Sequence, residues 1–537
     1  MTFTYMASAR MKSPKSPAPA SKETKMSVPE KPVVAISAEA PRAAAVELLR
    51  GVKDILPSEQ AYWAHLRSLV ETIAQQYGFS RIDTPVIEDP ALFHRAIGEQ
   101  SEVVAKELYA FTDPEQGAVA LRPEGTAGVA RAYIEHGMAN QPQPIKLWYF
   151  GPMFRFDRPQ AGRLRQFHQF GLEILGELHP ATDAELLTIG ANCFRRLGIP
   201  ITVQVNSVGC RVCRPPYLQE LEGYWKTHRT ELCEECKQYM GTQPLRCFSC
   251  RVDGCRALQE SAPQMVDWLC EECKQHFIRV LEYLDELEIP YALAPFLVRG
   301  FAYYTKTVFE FLPVAPDGTP VSASPLALAA GGRYDGLVES LGGRPTPATG
   351  LSFGCDRIMY KMREAVSEGR LVAPAFPTPA IYLAQLGDQA KRKAMRLYEE
   401  LLAQQFTVAA HFSKDALKAQ LEYANALNTR LTLILGQKEV IDGTIIIREM
   451  SSGIQEIIAY EKVVPEVRKR LEQEAVRESK TEVVPSEVTE GAPEQERGAR
   501  WRRRPLPEED AEFEEPPEEA PAEEETPADP AAETEEE

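Results

Sequence analysis

Arginines, glycine-rich turns and a few carboxylates gather in four short stretches of this 537-residue chain. LRPEGTA (121–127) sets Glu124 beside Thr126, and FGPMFRFDRPQAGRLRQFHQFGLEILG (150–176) carries Arg155, Arg158, Arg163 and Arg165 around a Pro-Gln-Ala-Gly turn, with Gln169 and Glu173 following. LVRGFAYYTKTVFEF (297–311) places Arg299 ahead of Tyr303 and Tyr304, while AGGRYDGL (330–337) and ATGLSFGCDRI (348–358) contribute Arg333, Asp335 and Arg357. Four guanidiniums on one hairpin either face water or clamp anions, and their planar forks suit the oxygens of a triphosphate or a carboxylate. Glycines in the last pair of stretches allow close backbone approach, and Arg357 starts or lies on a helix. There is no Walker A loop and no dinucleotide fingerprint, so any phosphate chemistry is of another kind. His168 is read as structural, and Arg333 with Asp335 as either a local ion pair or a ligand contact.

A second chemistry lies in the cysteines, nine of whose eleven fall between Cys210 and Cys273. Cys210-x2-Cys213 and Cys233-x2-Cys236 are separated by 19 residues, a spacing that suits a four-thiolate zinc site. Cys247, Cys250, Cys270 and Cys273 repeat that geometry shifted by 37, and LCEECKQ occurs at both 232–238 and 269–275. Two quasi-repeated knuckles or one site using half the pairs both fit, Cys255 leaves the pairing open, and reduced buried thiols or a redox role are the alternatives. Cys193 and Cys355 read as packing residues.

The elements that must position these groups follow from periodicity. After Pro57, Ser58 is expected to cap a helix with apolar positions Tyr62, Leu66, Leu69, Val70, Ile73 and Tyr77, ended by Gly78. Ile82–Ile87, interrupted by Pro85, reads as an edge strand. Further strands are expected at Ala118–Leu121, Ile145–Phe150, Phe167–Leu175 and Val308–Phe311, with helices around 125–136 and 182–197. A polar loop, not a crossover helix, joins 145–150 to 167–175, which predicts an α+β core on an antiparallel sheet. From about 377, after a hinge marked by Pro374, Pro377 and Pro379, strands (381–386, 406–412, 431–435, 444–448) alternate with helices (388–404, 415–427), predicting an α/β domain with a mostly parallel sheet.

Composition sets the outer limits. The length allows three or four units of roughly 150 residues, and with 44% hydrophobic and 26% charged residues the middle of the chain is that of an ordinary globular protein. The net charge of −18 argues against a broad basic face, but the last 33 residues hold 16 acidic and no basic side chains, which leaves the remainder near −2 and free to present basic patches to a phosphate backbone. No apolar run reaches membrane-spanning length and no signal-type stretch opens the chain, so a cytoplasmic location is expected. The expected organisation is a disordered extension over 1–48, a catalytic core over 49–375 with a Cys-rich insertion at 207–280, an α/β domain over 376–475, and a disordered acidic tail over 476–537 that includes the basic cluster Arg497 to Arg504.

From roughly Arg50 to Lys469 the order and spacing of these stretches resemble a class II aminoacyl-tRNA synthetase, and specifically the histidyl-tRNA synthetases. RGVKDILP with the following helix and Ile82–Glu88 resembles the dimerisation motif, FRFDRPQAGRLRQFHQFGLE and GLSFGCDRI resemble the two motifs of the ATP site, LRPEGTA and LVRGFAYY resemble the histidine-specific segments, and SKDALKAQLEYANAL with LILGQKE resembles the anticodon-binding domain. The resemblance implies a homodimer that uses ATP with Mg2+ to make histidyl-adenylate and passes the acyl group to the 3′ end of the histidine tRNA. It implies that Glu124, Thr126 and Gln169 hold the substrate ammonium, that Glu173 and Tyr304, flanked by Tyr303, grip the imidazole, and that Arg155 bridges the carboxylate and the α-phosphate. Arg163, Arg165 and Arg357 would neutralise pyrophosphate, Arg299 would stabilise charge on the α-phosphate, and any zinc in the insertion would be structural. Where the family usually has aspartate before the tyrosine pair this chain has Ala302, and Cys355-Asp356 stands where bulkier or Glu-containing pairs are frequent. The alternatives are a synthetase-like regulatory subunit of ATP phosphoribosyltransferase, which typically lacks the anticodon domain and the Arg299-type motif, and a non-catalytic tRNA-sensing paralogue.

Overall fold

The computed structural model describes residues 46–481, apart from positions 100, 116, 158–162, 317, 320–325, 377, 414 and 415. Arg158, Pro377, most of the N-terminal extension, the Arg497–Arg504 cluster and the acidic run lie outside the described residues. The chain divides into two units that meet in sequence between Phe376 and Pro377.

The first unit opens with α1 (Gln60–Gln76), β1 (Ser80–Arg81), β2 (Ile87–Glu88), α2 (Pro90–Ile97), β3 (Ala110–Asp113), β4 (Gly117–Leu121) and α3 (Thr126–Glu135). Helix α1 buries Trp63, Leu66, Val70 and Ile73 along one face, as the 3.6-residue period requires. Its N-cap is Glu59 and no side chain caps it, so Ser58 does not hold the expected role; the chain is already in a tight turn, with Glu59 N–H bonded to Leu56 C=O. The expected 82–87 strand is likewise not one element: of it only Ile87 lies in a strand, β2, which pairs with β4, while the residues ahead of Pro85 follow β1, which pairs with the main sheet.

Next come β5 (Ile145–Phe154), β6 (Gln166–Leu175), α4 (Ala181–Arg196), β7 (Ile201–Ser207), α5 (Arg214–Thr227), α6 (Glu234–Tyr239), α7 (Asp253–Gln259), α8 (Glu271–Glu286), β8 (Tyr291–Leu293), β9 (Thr305–Pro313), β10 (Ala329–Arg333), α9 (Leu337–Ser340), β11 (Ala348–Gly354) and α10 (Cys355–Ser367). Eight strands form one sheet in the order β1-β5-β6-β11-β10-β9-β7-β8. Its interior pairings are antiparallel, and only the edge pairs β1·β5 and β7·β8 are parallel.

Strand alternation decides what this sheet offers to a ligand. Phe170, Leu172 and Ile174 of β6, Phe309 and Phe311 of β9, and Leu351 and Phe353 of β11 enter one core with α1, α4, α8 and α10. The intervening residues Gln169 and Glu173, Glu310, and Ser352 therefore project from the opposite face. Pinning that core are the fully buried Asp183 of α4, Arg333 of β10 and His276 of α8: Arg333 pairs with Asp183 at 3.0 Å and with Asp335 at 3.2 Å, and His276 Nε2 lies 2.7 Å from Asp183. Burial alone would raise the Asp183 pKa, but Arg333 and His276 outweigh it and hold it at about 2.

The second unit contains β12 (Ile381–Gln385), α11 (Asp388–Ala403), β13 (Val408–Ala410), α12 (Leu417–Ala426), β14 (Leu431–Leu435), α13 (Gln437–Asp442), β15 (Thr444–Glu449), β16 (Gln455–Ala459) and α14 (Val463–Thr481). The sheet order is β13-β12-β14-β15-β16, parallel across β13·β12·β14 and antiparallel across β14·β15·β16. The expected mostly parallel sheet is thus mixed. The six residues of α13 are too few to carry β15 back alongside β14 in parallel, and the short connection from β15 to β16 makes a hairpin. Helix α14 runs to Thr481, beyond the expected boundary at 475, since 476–481 contains neither Gly nor Pro to stop it.

Candidate active site

Above the open face of the large sheet lies a cavity of about 410 Å³. Its wall includes Glu124, Thr126, Arg155, Gln169, Arg299, Tyr303, Tyr304 and Arg357, residues drawn from all four stretches singled out in the sequence. Each reaches the wall for a local reason. Glu124 precedes α3, and its carboxylate accepts the N–H groups of Thr126 at 2.6 Å and Ala127 at 2.9 Å, the unpaired donors of the helix start. The segment itself is tethered by buried Arg122, which donates to Thr84 C=O at 2.8 Å and Pro152 C=O at 3.0 Å. Arg155 leaves β5 with its Nε bonded to Leu164 C=O at 3.0 Å and its guanidinium over the Phe167 ring at 4.3 Å. Arg357 sits in the first turn of α10 and donates to Ala327 C=O at 2.8 Å.

Glu173 lies beneath Thr126, fully buried. It accepts from Thr126 Oγ1 at 2.7 Å and from the Tyr334 hydroxyl at 2.5 Å. Burial first, and the charge of Glu124 after it, push the Glu173 pKa up to about 8 against those two hydrogen bonds. Gly350, opposite Glu173 in the β6·β11 register, leaves the carboxylate its room, since a Cβ there would collide with Glu173 Oε2. The rings of Tyr303 and Tyr304 stand 4.7 Å apart, and Tyr303 meets Tyr334 edge-on at 5.7 Å. Gln169 Oε1 is buried and has no hydrogen-bond partner among the described residues, an acceptor left for a ligand donor.

The electrostatics ask for an anion. Burial lowers the Arg155 pKa to about 10, and the like charges of Arg163 and Arg357 add to the fall. A group carrying several negative oxygens would relieve both causes. The structure does not bring every expected cation to the wall. Arg163 is engaged by Glu107 at 2.6 Å and by Asp157, and Arg165 donates to Asp157 C=O at 3.1 Å and covers the Phe156 ring. Arg299 forms an ion pair with Glu310 of β9 and lies over the Tyr304 ring at 5.6 Å.

A sequence model described as histidyl-tRNA synthetase matches residues 51–211 and 250–358, and one described as an anticodon binding domain matches 380–470. The chain belongs to the histidyl-tRNA synthetase family. It is 39% identical over 423 residues to a histidine–tRNA ligase of Dehalococcoides mccartyi, covering 79% of this chain and 99% of that one. It is 41% identical over 408 residues to a histidine–tRNA ligase of Natranaerobius thermophilus, covering 76% and 94%. The apo histidyl-tRNA synthetase of S. aureus superposes with a TM-score of 0.65 at 31% identity, over 79% of this chain and all of that one.

The sequence alone did not single out Glu310, Tyr334, Arg122 and Arg251. Glu310 is the polar member of an otherwise apolar strand, VFEFL, an alternation that marks it as facing away from the core. Tyr334 sits between Arg333 and Asp335, and a lone tyrosine between two charged residues carries no pattern that marks it as a site residue. Arg251, next to Cys250 in the insertion, reaches the cavity wall, and nothing local in the sequence signals that. Arg333 and Asp335 form the ion pair that was one of their two readings. His168 packs between Trp63 and Phe150, with its backbone N–H donating to Asp356 at 2.6 Å.

The linear grouping of the cysteines is corrected. Cys210 and Cys213 gather with Cys270 and Cys273, not with Cys233 and Cys236, and those two gather with Cys250 and Cys255. Cys247 belongs to neither group; its buried thiol contacts Cys236 C=O at 3.8 Å. The cause is the parallel pairing of β7 with β8. A return helix between parallel strands begins where the first strand stops, so the start of α8 lies beside the residues just after β7.

Proposed function

We propose that this chain activates L-histidine with ATP, entering as its Mg2+ complex, to give histidyl-adenylate, and transfers the histidyl group to the 3′ end of the histidine tRNA. The observation that carries the reading is the 410 Å³ cavity, whose wall holds carboxylate, amide and phenol groups together with Arg155, Arg299 and Arg357. In this reading Glu124, Thr126 and the unpartnered Gln169 carbonyl receive the ammonium. Glu173 and Tyr304, with Tyr303, receive the imidazole nitrogens. A site built to hydrogen-bond an imidazole discriminates strongly against side chains that lack its N–H groups.

Arg155 bridges the substrate carboxylate and the α-phosphate, where the carboxylate oxygen attacks phosphorus and pyrophosphate leaves. Arg299 stabilises the charge that builds on the α-phosphate, and Arg357 receives the leaving pyrophosphate. Arg163 and Arg165 join it by exchanging their Glu107 and Asp157 contacts for phosphate oxygens. Catalysis is by positioning and fixed charge, without a covalent nucleophile. The anticodon-binding match over 380–470 supports recognition of tRNA and weighs against the regulatory-subunit reading, as do Arg155, Arg299 and Arg357 on one cavity wall. We assign a homodimer on the resemblance of 50–88 to the dimerisation motif, and light scattering at twice the chain mass is its check. The test of function is charging of a histidine tRNA transcript with labelled histidine. Acid-precipitable label that depends on ATP and on this tRNA supports the reading, and its absence from the folded protein defeats it.

A further inference from the structure

The insertion between β7 and β8 carries a construction that adenylation does not use. Cys210 and Cys213 Sγ are 3.7 Å apart, Cys210 and Cys270 Sγ 3.8 Å, and Cys213 and Cys273 Sγ 3.8 Å. In the second group Cys233 and Cys250 Sγ are also 3.8 Å apart, and within each group all four sulfurs lie inside 4.8 Å. A tetrahedron of sulfurs at the zinc–thiolate length of about 2.3 Å has edges of about 3.8 Å. A disulfide needs sulfurs at about 2.05 Å, and all of these cysteines are free. An iron–sulfur cluster, with its inorganic core inside the ligand shell, needs the sulfurs further apart.

A second observation is independent of the sulfur spacing: backbone N–H groups point at the sulfurs. Val212 N–H donates to Cys210 Sγ at 3.3 Å, Cys210 N–H to Cys213 Sγ at 3.1 Å, Cys236 N–H to Cys233 Sγ at 3.5 Å and Cys233 N–H to Cys255 Sγ at 3.2 Å. Such donors spread thiolate charge and orient ligands around an ion. The two LCEECKQ repeats each place a cysteine pair at a helix start, Cys233 as N-cap of α6 and Cys270 as N-cap of α8, and each pair serves a different group.

We propose that the insertion binds two structural zinc ions, one held by Cys210, Cys213, Cys270 and Cys273 and the other by Cys233, Cys236, Cys250 and Cys255, with Cys247 a packing residue. The sites are nested in the sequence. The outer ion ties the entry of the module to its exit and so closes a long loop, where a crosslink removes most entropy from the unfolded chain. The inner ion consolidates short helices whose own apolar core, around Tyr217, Leu221 and Trp225, is small. The outer site also stands behind the tyrosine pair. Arg214, directly after Cys213, donates to Tyr304 C=O at 2.6 Å, and Lys306 N–H donates to Gly209 C=O at 2.9 Å.

The experiment is zinc content per chain of the full-length protein, purified reduced and dialysed free of loose metal, by plasma emission, with a parallel preparation grown on cobalt and read by the visible bands of tetrahedral thiolate-bound cobalt. Two zinc ions per chain are expected in the parent and in Cys247→Ser, and one in Cys255→Ser and in Cys270→Ser. Zinc-free parent protein with reactive thiols overturns the proposal, as does a Cys247→Ser protein with one ion beside a Cys255→Ser protein with two. If Cys270→Ser does not fold, the Cys247 and Cys255 variants still decide. Metal content is read without the ligase reaction, so its failure leaves the functional reading intact.

Discussion

The guanidinium of Arg299 is paired with the carboxylate of Glu310, eleven residues later on β9, at the wall of the cavity. No carboxylate stands directly before the tyrosine pair in this chain. Ala302 at that position is exposed, with its N–H bonded to Ile97 C=O at 3.1 Å. Orientation of Arg299 therefore falls to the strand. Glu310→Gln is expected to lower kcat for adenylation by roughly 10–100-fold, the usual cost of losing a partner that orients a site group, with KM for histidine changing much less. Ala302→Asp leaves kcat within about threefold, because the pairing already exists. Steady-state pyrophosphate exchange separates the two parameters, and an inert Glu310→Gln contradicts the assignment.

Glu173 supplies a pH signature. Its pKa stands at about 8 in the fold against an ordinary 4.5, so between those values the native state binds a proton that the unfolded chain does not, and this group's contribution to stability falls as pH rises through the window. Glu173→Gln removes that loss. The apparent Tm of the variant relative to the parent should rise by about 2–4 °C between pH 5.5 and pH 8.5, while its KM for histidine increases. A difference in Tm that stays flat with pH would show that Glu173 is ionised throughout.

Asp183 behaves in the opposite sense. Its pKa is held at about 2, below the ordinary 3.8, so its contribution is present above 3.8 and is lost as pH falls through 2. Asp183→Asn leaves buried Arg333 with only the half-buried Asp335 as charge partner and should cost about 3 kcal/mol, with a shallower acid limb below pH 4 than the parent shows. Thermal melts across pH 2–7 report both.

In the proposed reading of Tyr304, Arg214 is a positioning residue for histidine binding. Its guanidinium holds Val208 C=O at 2.9 Å and Tyr304 C=O at 2.6 Å. Arg214→Ala should raise KM for histidine by about 5–10-fold, the net worth of roughly one ordinary hydrogen bond, with kcat falling less. An equal fall in kcat with KM unchanged would argue that the arginine acts on the chemical step instead.

The parts of the fold governed by local pattern were readable. The strand expected at Phe167–Leu175 is β6, and its alternation puts Gln169 and Glu173 on one face and Phe170, Leu172 and Ile174 on the other. Residues linked by the whole sheet were not. Asp183 meets Arg333 only because α4 packs beneath β10, and Arg299 meets Glu310 only because the segment ahead of β9 turns back along that strand. The cysteine spacing marked out the module yet grouped the wrong partners, because partner choice depends on β8, a three-residue strand too short to leave a periodic signal. Helix α13 and the β15–β16 hairpin turned an expected parallel sheet into a mixed one for the same reason: a short connection reverses a strand without altering its apolar content.

The most direct measurement is exchange of labelled pyrophosphate into ATP by the purified full-length protein, with magnesium present and each of the twenty amino acids supplied in turn. Exchange supported by histidine alone, and reduced by about 10²–10³ in Arg299→Ala, is the predicted result. Exchange with no amino acid, or with one whose side chain lacks an imidazole, would contradict the account.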